Sequence, residues 1–424
     1  MGMATFRDNR PESRRWRTQA KPILALLSGA STAILKAKPK LEKRSTLTPR
    51  TNDNALDKPI ISVVIPVYNA QEYLPQCLDS VLNSTFRDIE VVCVDDGSTD
   101  RSAQILSAYH DADARVRIIA QEHRSAAAAR NTGIRAATGA YIHFLDADDW
   151  IESIAYEKWY NLAQTYDADV FTCLHVNVDA KSGAVLSEGA YPDTNATVFP
   201  NVTNFHEKPD ALIYGNVVPW DKLYSRAFLS KHGILFDDLP CAEDRAFYYD
   251  VIYRAKSIVR TTDKWVYHRL NIPGSLDGSS IRLEHFGVEF KSFEHIWSLL
   301  ETATPHAKAM ALDNCIFDSF YYYGKAKGTP FENDIARQLL EYWRPYLPIL
   351  GAAAYEKSWY RDLIEIALAN TPSEYRESIL GLHQVYLQKP TEVHSEIRLL
   401  KKGQIVATRI RKSIAQAMKA NNHR

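Results

Sequence analysis

The stretch PIISVVIPVYNAQEYLPQCLDSVLNSTFRDIEVVCVDDGS, residues 59–98, sets the fold. Residues 60–66 form an apolar, β-branched run, residues 72–83 carry apolar side chains at helical spacing, and residues 90–94 form a second apolar run. Short apolar runs on either side of an amphipathic helix read as a βαβ unit with parallel strands buried on both faces. Beyond this stretch the pattern predicts a helix over 102–109, a strand over 116–119, a helix over 126–137 and a strand over 141–145. Strands alternating with helices specify an α/β fold, a Rossmann-like and mostly parallel sheet with helices on both faces. In such open sheets ligands bind where loops leave the carboxyl ends of the strands. Polar clusters sit at those ends: Pro66-Val67-Tyr68-Asn69 after the first strand, Asp95-Asp96-Gly97-Ser98 after the second, and Asp146-Ala147-Asp148-Asp149 after residues 141–145. Three polar loops are therefore expected along one edge.

At 424 residues the chain has room for two domains plus tails. A hydrophobic fraction of 46%, a charged fraction of 24% and a formal net charge of zero give no bulk electrostatic reason to expect nucleic acid as a partner. The charge is unevenly placed. Residues 1–50 hold twelve Lys or Arg against Asp8, Glu12 and Glu42, and the tail after Glu396 holds eight basic residues and no acid. Cys77, Cys93, Cys173, Cys241 and Cys315 are scattered singly, without zinc-ligand spacing, which points to a reducing, cytoplasmic setting. The apolar stretch 22–35 is shorter than the roughly 20 residues a membrane span needs and is broken by Ser28, Ser31 and Thr32. It has the outline of a secretory signal, against which stand its long basic leader and Lys36, Lys38 and Lys40 just beyond.

Asp146, Asp148 and Asp149 are the strongest chemical feature. Hard oxygen ligands just after a strand suit Mg²⁺ or Mn²⁺ holding a diphosphate, whereas in isolation the same residues would be a turn and helix cap. Asp95 and Asp96 read equally as acceptors for a pyrimidine ring N–H or ribose hydroxyls and as a turn-and-cap pair. Tyr68 offers a stacking face for a base or is simply core. Arg130 offers a fork for a phosphate or belongs to a solvated helix face. Glu243 and Asp244, in LPCAEDRAF, supply a candidate general base or complement a helix dipole. No Gly-x-Gly-x-x-Gly follows the first strand and no Walker-type Gly-Lys-Ser/Thr is present, which counts against dinucleotide oxidoreduction and P-loop phosphoryl transfer.

Together PIISVVIPVYNAQEYLPQCLDSVLNSTF, IEVVCVDDGSTDRS, ARNTGIRAATGAYIHFLDADDW and AEDRAF resemble the family-2 glycosyltransferases with a GT-A fold, strongly over residues 59–150 and weakly to about residue 275. The resemblance implies a nucleotide-sugar donor, UDP-linked, held by Pro66, Tyr68 and Asp96 with Asp95 nearby; Asn69 and Arg130 are carried with them as donor-side candidates. It further implies that Asp146 contacts ribose or sugar, that Asp148 binds Mn²⁺ or Mg²⁺, and that Asp244, with Glu243 as the alternative, is the base of an inverting displacement. WDKLYSRAFL resembles a stretch of bacterial members that build capsular or cell-envelope polysaccharide, making Trp220, Asp221 and Lys222 candidates for the acceptor or diphosphate side. In YHRLNIPGS, His268 and Arg269 are candidates for approaching metal or phosphates from a flexible loop, with a satisfied surface His as the alternative. One departure stands out: many relatives place Gly before the Glu-Asp pair, where this chain has Cys241-Ala242.

The expected organisation is a basic extension and linker over 1–57, a GT-A catalytic domain over 58–275, a mainly helical region over 276–395 and a basic tail over 396–424. In the tail Val406, Ile410 and Ile414 recur at steps of four on a basic helix, suited either to peripheral contact with an anionic membrane or to a solvated tail. The acceptor expected is a saccharide or a lipid-linked saccharide. Two competing readings are a sugar-nucleotidyltransferase, which lacks its Gly-rich loop here, and a nucleotide-sugar-binding protein without catalysis.

Overall fold

The computed structural model describes residues 59–191, 199–272, 286–326, 329–343, 346 and 349. The chain runs β1 (Ile61–Val67), α1 (Leu74–Leu82), β2 (Ile89–Asp95), α2 (Ser102–Ala112), β3 (Val116–Ala120), α3 (Ala126–Ala136), β4 (Tyr141–Phe144), β5 (Trp150–Ile151) and α4 (Ala155–Thr165). It continues through β6 (Val170–Asp179), β7 (Val185–Glu188), β8 (Asn201–Thr203), α5 (Asp210–Ile213), β9 (Lys222–Ser225), α6 (Arg226–His232), α7 (Glu243–Arg254) and β10 (Ile258–Leu270). Three further helices follow, α8 (Val288–Leu299), α9 (Pro305–Ala326) and α10 (Glu332–Trp343).

β1 sends Val64 into one apolar cluster and Ile61, Val63, Ile65 and Val67 into another, and β2 divides Val92 and Val94 from Ile89, Val91 and Cys93 in the same way. Successive strand side chains point to opposite faces, so an unbroken apolar run means that both faces are covered. α1 and α4 cover one face, with Leu78 and Trp159. α3 and α7 cover the other, and α8 to α10 join that cluster through Phe293, Ile316 and Trp343.

The strand order is β3-β2-β1-β4-β9-β6-β10-β5, with β7 on β6 and β8 on β10. β1 pairs in parallel with β2 and β4, placing Val67 beside Asp95 and Val64 beside Phe144, so the loops leaving these strands emerge together. Beyond β4 the sheet is mixed: β9 runs antiparallel to β4 and β6, while β6 and β10 are parallel to each other. β6 and β10 therefore run in the direction of β4, and the carboxyl end of β10 reaches the same edge. α3 is seated tightly. A Cβ at Gly133 would stand 2.2 Å from Val64 Cγ1, so glycine lets the helix lie on β1 and carry Arg130 to the edge.

Two differences from the sequence expectation concern the second half. β10, thirteen residues long, was not anticipated, because its burial is continuous only at its start and around Trp265 and Val266. His268 and Arg269 lie on this strand, not on a flexible loop, because β10 pairs with β6 as far as Leu270 and Asp179. Within the expected helical region 276–395 the described residues form α8 to α10, and most of it beyond Trp343 lies outside the described residues. The extension 1–57 and the tail 396–424 lie outside the described residues. All five cysteines are free thiols. Among the described residues no helix is long and apolar enough to cross a membrane.

Candidate active site

The first two polar loops are tied to each other before any ligand is considered. Asn69 takes φ 50°, the left-handed region that Asn tolerates, and its Oδ1 accepts from Thr99 N at 2.8 Å while its own N–H donates to Ser98 Oγ at 3.1 Å. Asp95 Oδ1 accepts from Ser98 N at 3.0 Å, the capping role weighed for it above. Both groups thus shape the loops, and Pro66 lies half-buried within β1 where they meet.

Asp96 is buried and serves a third loop. Its carboxylate accepts from Gln121 Nε2 at 2.6 Å and Arg124 N at 3.2 Å, and lies 2.9 Å from His123 Nδ1. Tyr68 is 47% exposed, and its ring stacks on His123 with centroids 4.0 Å apart and planes 14° apart. A half-exposed aromatic ring, one face covered by His123, thus stands beside a buried carboxylate surrounded by donors, an arrangement that suits a planar heterocycle. Gln121, His123 and Arg124 went unread in the sequence. They follow β3, and the rule that ligands gather at carboxyl ends would have found them.

Arg130 is the centre of the site's electrostatics. Only 5% exposed, its guanidinium donates to Asp146 Oδ1 at 2.8 Å, Glu243 Oε1 at 2.9 Å and Asp244 Oδ1 at 3.2 Å. The phosphate-binding alternative meets a different geometry here, since these donors go to carboxylates and Nε is buried without a partner among the described residues. Three acids from two distant segments share one cation. Burial raises the Asp244 carboxyl well above the usual range, and Glu243 and Asp146 add to the effect while Arg130 opposes it. A carboxylate so raised is a better proton acceptor. Glu243 and Asp244 also occupy the first turn of α7, where the helix dipole favours negative charge. The residue before them, Ala242, takes φ 60°, the left-handed conformation that glycine adopts freely. The departure from Gly noted in the sequence therefore carries a local conformational cost.

In the third loop Asp149 is fully buried, accepts from Arg269 N at 2.8 Å and lies 3.0 Å from His268 Nδ1. Asp146 belongs to Arg130, and the half-buried Asp148 side chain meets no side-chain donor among the described residues. Burial, followed by Asp149 and Asp146, pushes Asp148 up to about 7. A bound cation would relieve this desolvation and like-charge crowding. No group of three or more His, Cys, Asp or Glu among the described residues forms a complete metal cage. A cation held by one carboxylate and completed by diphosphate oxygens is the pattern Mg²⁺ favours, and the donor set fits it.

Arg269 is fixed by its surroundings: Nε donates to Asp148 O at 2.9 Å, and the guanidinium lies 4.5 Å from the Tyr73 ring centroid and 4.8 Å from that of Trp150. His268 stacks on Trp220 with centroids 4.8 Å apart. The structure thus brings His268 and Arg269 to the acidic loop, with Trp220 stacked on His268. Trp220 is buried behind His268. Lys222, 5% exposed, donates to Asn216 O at 2.8 Å, Val218 O at 2.7 Å and Asp221 Oδ1, so all three ammonium protons are used within its own turn. Both side chains, candidates for the acceptor or diphosphate side, are thus buried, a burial that their sequence spacing does not reveal.

With the geometry in place, comparison with known proteins is informative. Residues 62–211 match the model of glycosyl transferase family 2. The chain is 31% identical over 229 residues to the uncharacterized glycosyltransferase EpsJ of Bacillus subtilis, covering 51% of this chain and 63% of that protein. It is 31% identical over 258 residues to the poly(ribitol-phosphate) beta-glucosyltransferase of Bacillus spizizenii, covering 60% of this chain and 37% of that one. It thus spans less than two thirds of the length of these relatives. Residues 1–349 of S. aureus TarS, crystallised in complex with UDP-GlcNAc, share the fold with a TM-score of 0.57 at 19% identity, over 78% of this chain and 91% of that one.

Proposed function

We propose that this chain, whose residues 62–211 match glycosyl transferase family 2, transfers a sugar from a UDP-sugar to a saccharide or lipid-linked acceptor in bacterial cell-envelope polysaccharide or glycolipid synthesis. The observation that carries the reading is the convergence of Asp96, Asp148 and the Arg130-bound trio Asp146, Glu243 and Asp244 at one sheet edge. TarS was crystallised with UDP-GlcNAc, which supports a UDP-linked donor here.

In this reading the uracil stacks on Tyr68 and donates its ring N–H to Asp96. Asp146 receives ribose or sugar hydroxyls, and Asp148 holds Mn²⁺ or Mg²⁺, which when bound neutralises charge on the diphosphate. Asp244 takes the proton of the acceptor hydroxyl as its oxygen bonds the anomeric carbon, and the bond from that carbon to the UDP oxygen breaks on the opposite face. The configuration inverts and no covalent enzyme intermediate forms. Arg130 keeps the base and the donor-side Asp146 in fixed relation. His268 and Arg269, fixed around Asp149, frame the diphosphate side. The unanchored membrane reading of the basic termini belongs to the acceptor: a lipid-linked substrate makes peripheral docking useful.

The test is Asp244→Asn, which keeps UDP affinity within about twofold and lowers sugar transfer by about a hundredfold or more. A collapse of UDP affinity in this variant places Asp244 in the nucleotide site and the base elsewhere.

A further inference from the structure

α8 lies outside the sheet edge, yet it places one side chain next to the segment that ends in Asp244. His295 Nδ1 stands 2.8 Å from Asp237 Oδ2, and its Nε2 stands 2.8 Å from Asp250 Oδ2. A neutral imidazole has one donor, so a ring facing a carboxylate from both nitrogens is the doubly protonated form. The hydrogen bonds to Asp237 and Asp250 push its pKa up to about 10. The two carboxylates flank the proposed base in sequence: Asp237 precedes α7, and Asp250 lies within it. The imidazolium therefore fastens the loop to the helix it leads into.

Neighbouring contacts hold the same segment from other directions. Asp238 pairs with Arg124, whose backbone N–H donates to Asp96, and Asp238 Oδ1 accepts from Ser125 Oγ at 3.2 Å at the N-cap of α3, the helix of Arg130. Arg245, next to Asp244, pairs with Asp318 of α9. Phe293 and Ile296, beside His295 in α8, are buried in the cluster that contains Phe247 and Ile252 of α7. The segment 237–244 also includes the left-handed Ala242, a conformation that persists only where the surroundings hold it.

We propose that His295 is a positioning residue for sugar transfer, holding residues 237–244 so that Asp244 stays against Arg130, and that this is the task of the helical segment beginning at α8. The proposal rests on the reading of Asp244 as the base. A base displaced by about 1 Å costs up to about a hundredfold in rate while leaving a remote nucleotide site untouched.

The experiment uses the full chain and three variants, His295→Gln, His295→Arg and Asp237→Asn. Hydrogen exchange of residues 237–244, calorimetric Kd for UDP with Mn²⁺, and kcat and KM for UDP-GlcNAc or UDP-glucose turnover are measured on each. In His295→Gln the protection of 237–244 falls about tenfold or more and kcat falls about tenfold or more, while the UDP Kd and the donor KM stay within about twofold. Asp237→Asn moves the same readouts in the same direction and reports in place of His295→Gln if that variant does not fold. His295→Arg, which keeps the charge and presents donors in two directions, recovers at least half of the lost protection and rate. Unchanged exchange in 237–244, or lost protection with unchanged kcat, overturns the proposal, as does a drop in UDP affinity equal to the drop in kcat. Full transfer by Asp244→Asn refutes the base assignment instead, and the exchange measurement then still decides whether His295 holds the loop.

Discussion

Replacing Arg130 by Met removes the one cation that three carboxylates share while keeping most of the side chain's apolar volume. Asp146, Glu243 and Asp244 lie 2.8, 2.9 and 3.2 Å from its guanidinium, and the Arg side chain is 6% exposed. Removing one partner of a buried ion pair costs about 3–5 kcal/mol, because the remaining charge is left uncompensated. The sign of the pH dependence follows. Asp244 already sits above the carboxylate range and loses its opposing cation in the variant, so its protonated form is the one the fold prefers. A raised carboxyl costs stability as pH climbs above its unfolded value and returns that stability as pH falls. Each unit of displacement is worth about 1.4 kcal/mol, and the share carried by Asp244 is returned as pH falls through its raised value. Urea unfolding followed by circular dichroism at pH 5, 6.5 and 8 is the assay. The variant is expected to be about 3–5 kcal/mol less stable than the parent at pH 8, with a narrower gap at pH 5. A deficit below about 1 kcal/mol at pH 8, or one that is the same at all three pH values, refutes the shared-cation account.

Other outcomes follow from single features. Ala242→Gly relieves the left-handed backbone at φ 60° and is expected to raise stability by about 1 kcal/mol in thermal unfolding, while Ala242→Val, β-branched at the same φ, lowers it. His295 has a folded value of about 10 against an ordinary 6.5, so its contribution is fully present below about pH 6.5 and fades as pH rises through 10. His295→Gln should therefore cost about 1.5–3 kcal/mol at pH 6 and much less at pH 10, read as the difference in unfolding free energy from the parent.

The first half of the fold was legible because its strands are covered on both faces. ISVVIPV and IEVVCV are unbroken apolar runs, and the helices between them carry their own periodicity. β6, β9 and β10 were harder to read: they mix buried and partly exposed positions, and β10 carries Asp263, Lys264, His268 and Arg269 within a single strand. The polar loops at the carboxyl edge were legible for a topological reason, since parallel strands deliver their loops to one side. The partners of each site residue were not. Arg130 reads as a lone helix-face Arg, and nothing local announces that Glu243 and Asp244 arrive from more than a hundred residues away. Lys222 looks exposed in WDKLYS yet is buried, because its ammonium is satisfied by carbonyls four and six residues earlier. His295 carries no sequence signal at all, as its partners Asp237 and Asp250 come from two other segments.

In the proposed function this sheet edge holds a UDP-linked donor with a divalent cation at Asp148. Isothermal titration of UDP into the purified protein with Mn²⁺, then with chelator, and into Asp148→Asn with Mn²⁺, tests it most directly. Saturable UDP binding with Mn²⁺ is expected, weakening about tenfold or more on chelation and on Asp148→Asn substitution, with CDP and GDP binding more weakly. UDP binding that is indifferent to metal contradicts the assignment of Asp148, and no binding of any nucleotide under either condition contradicts the donor site itself.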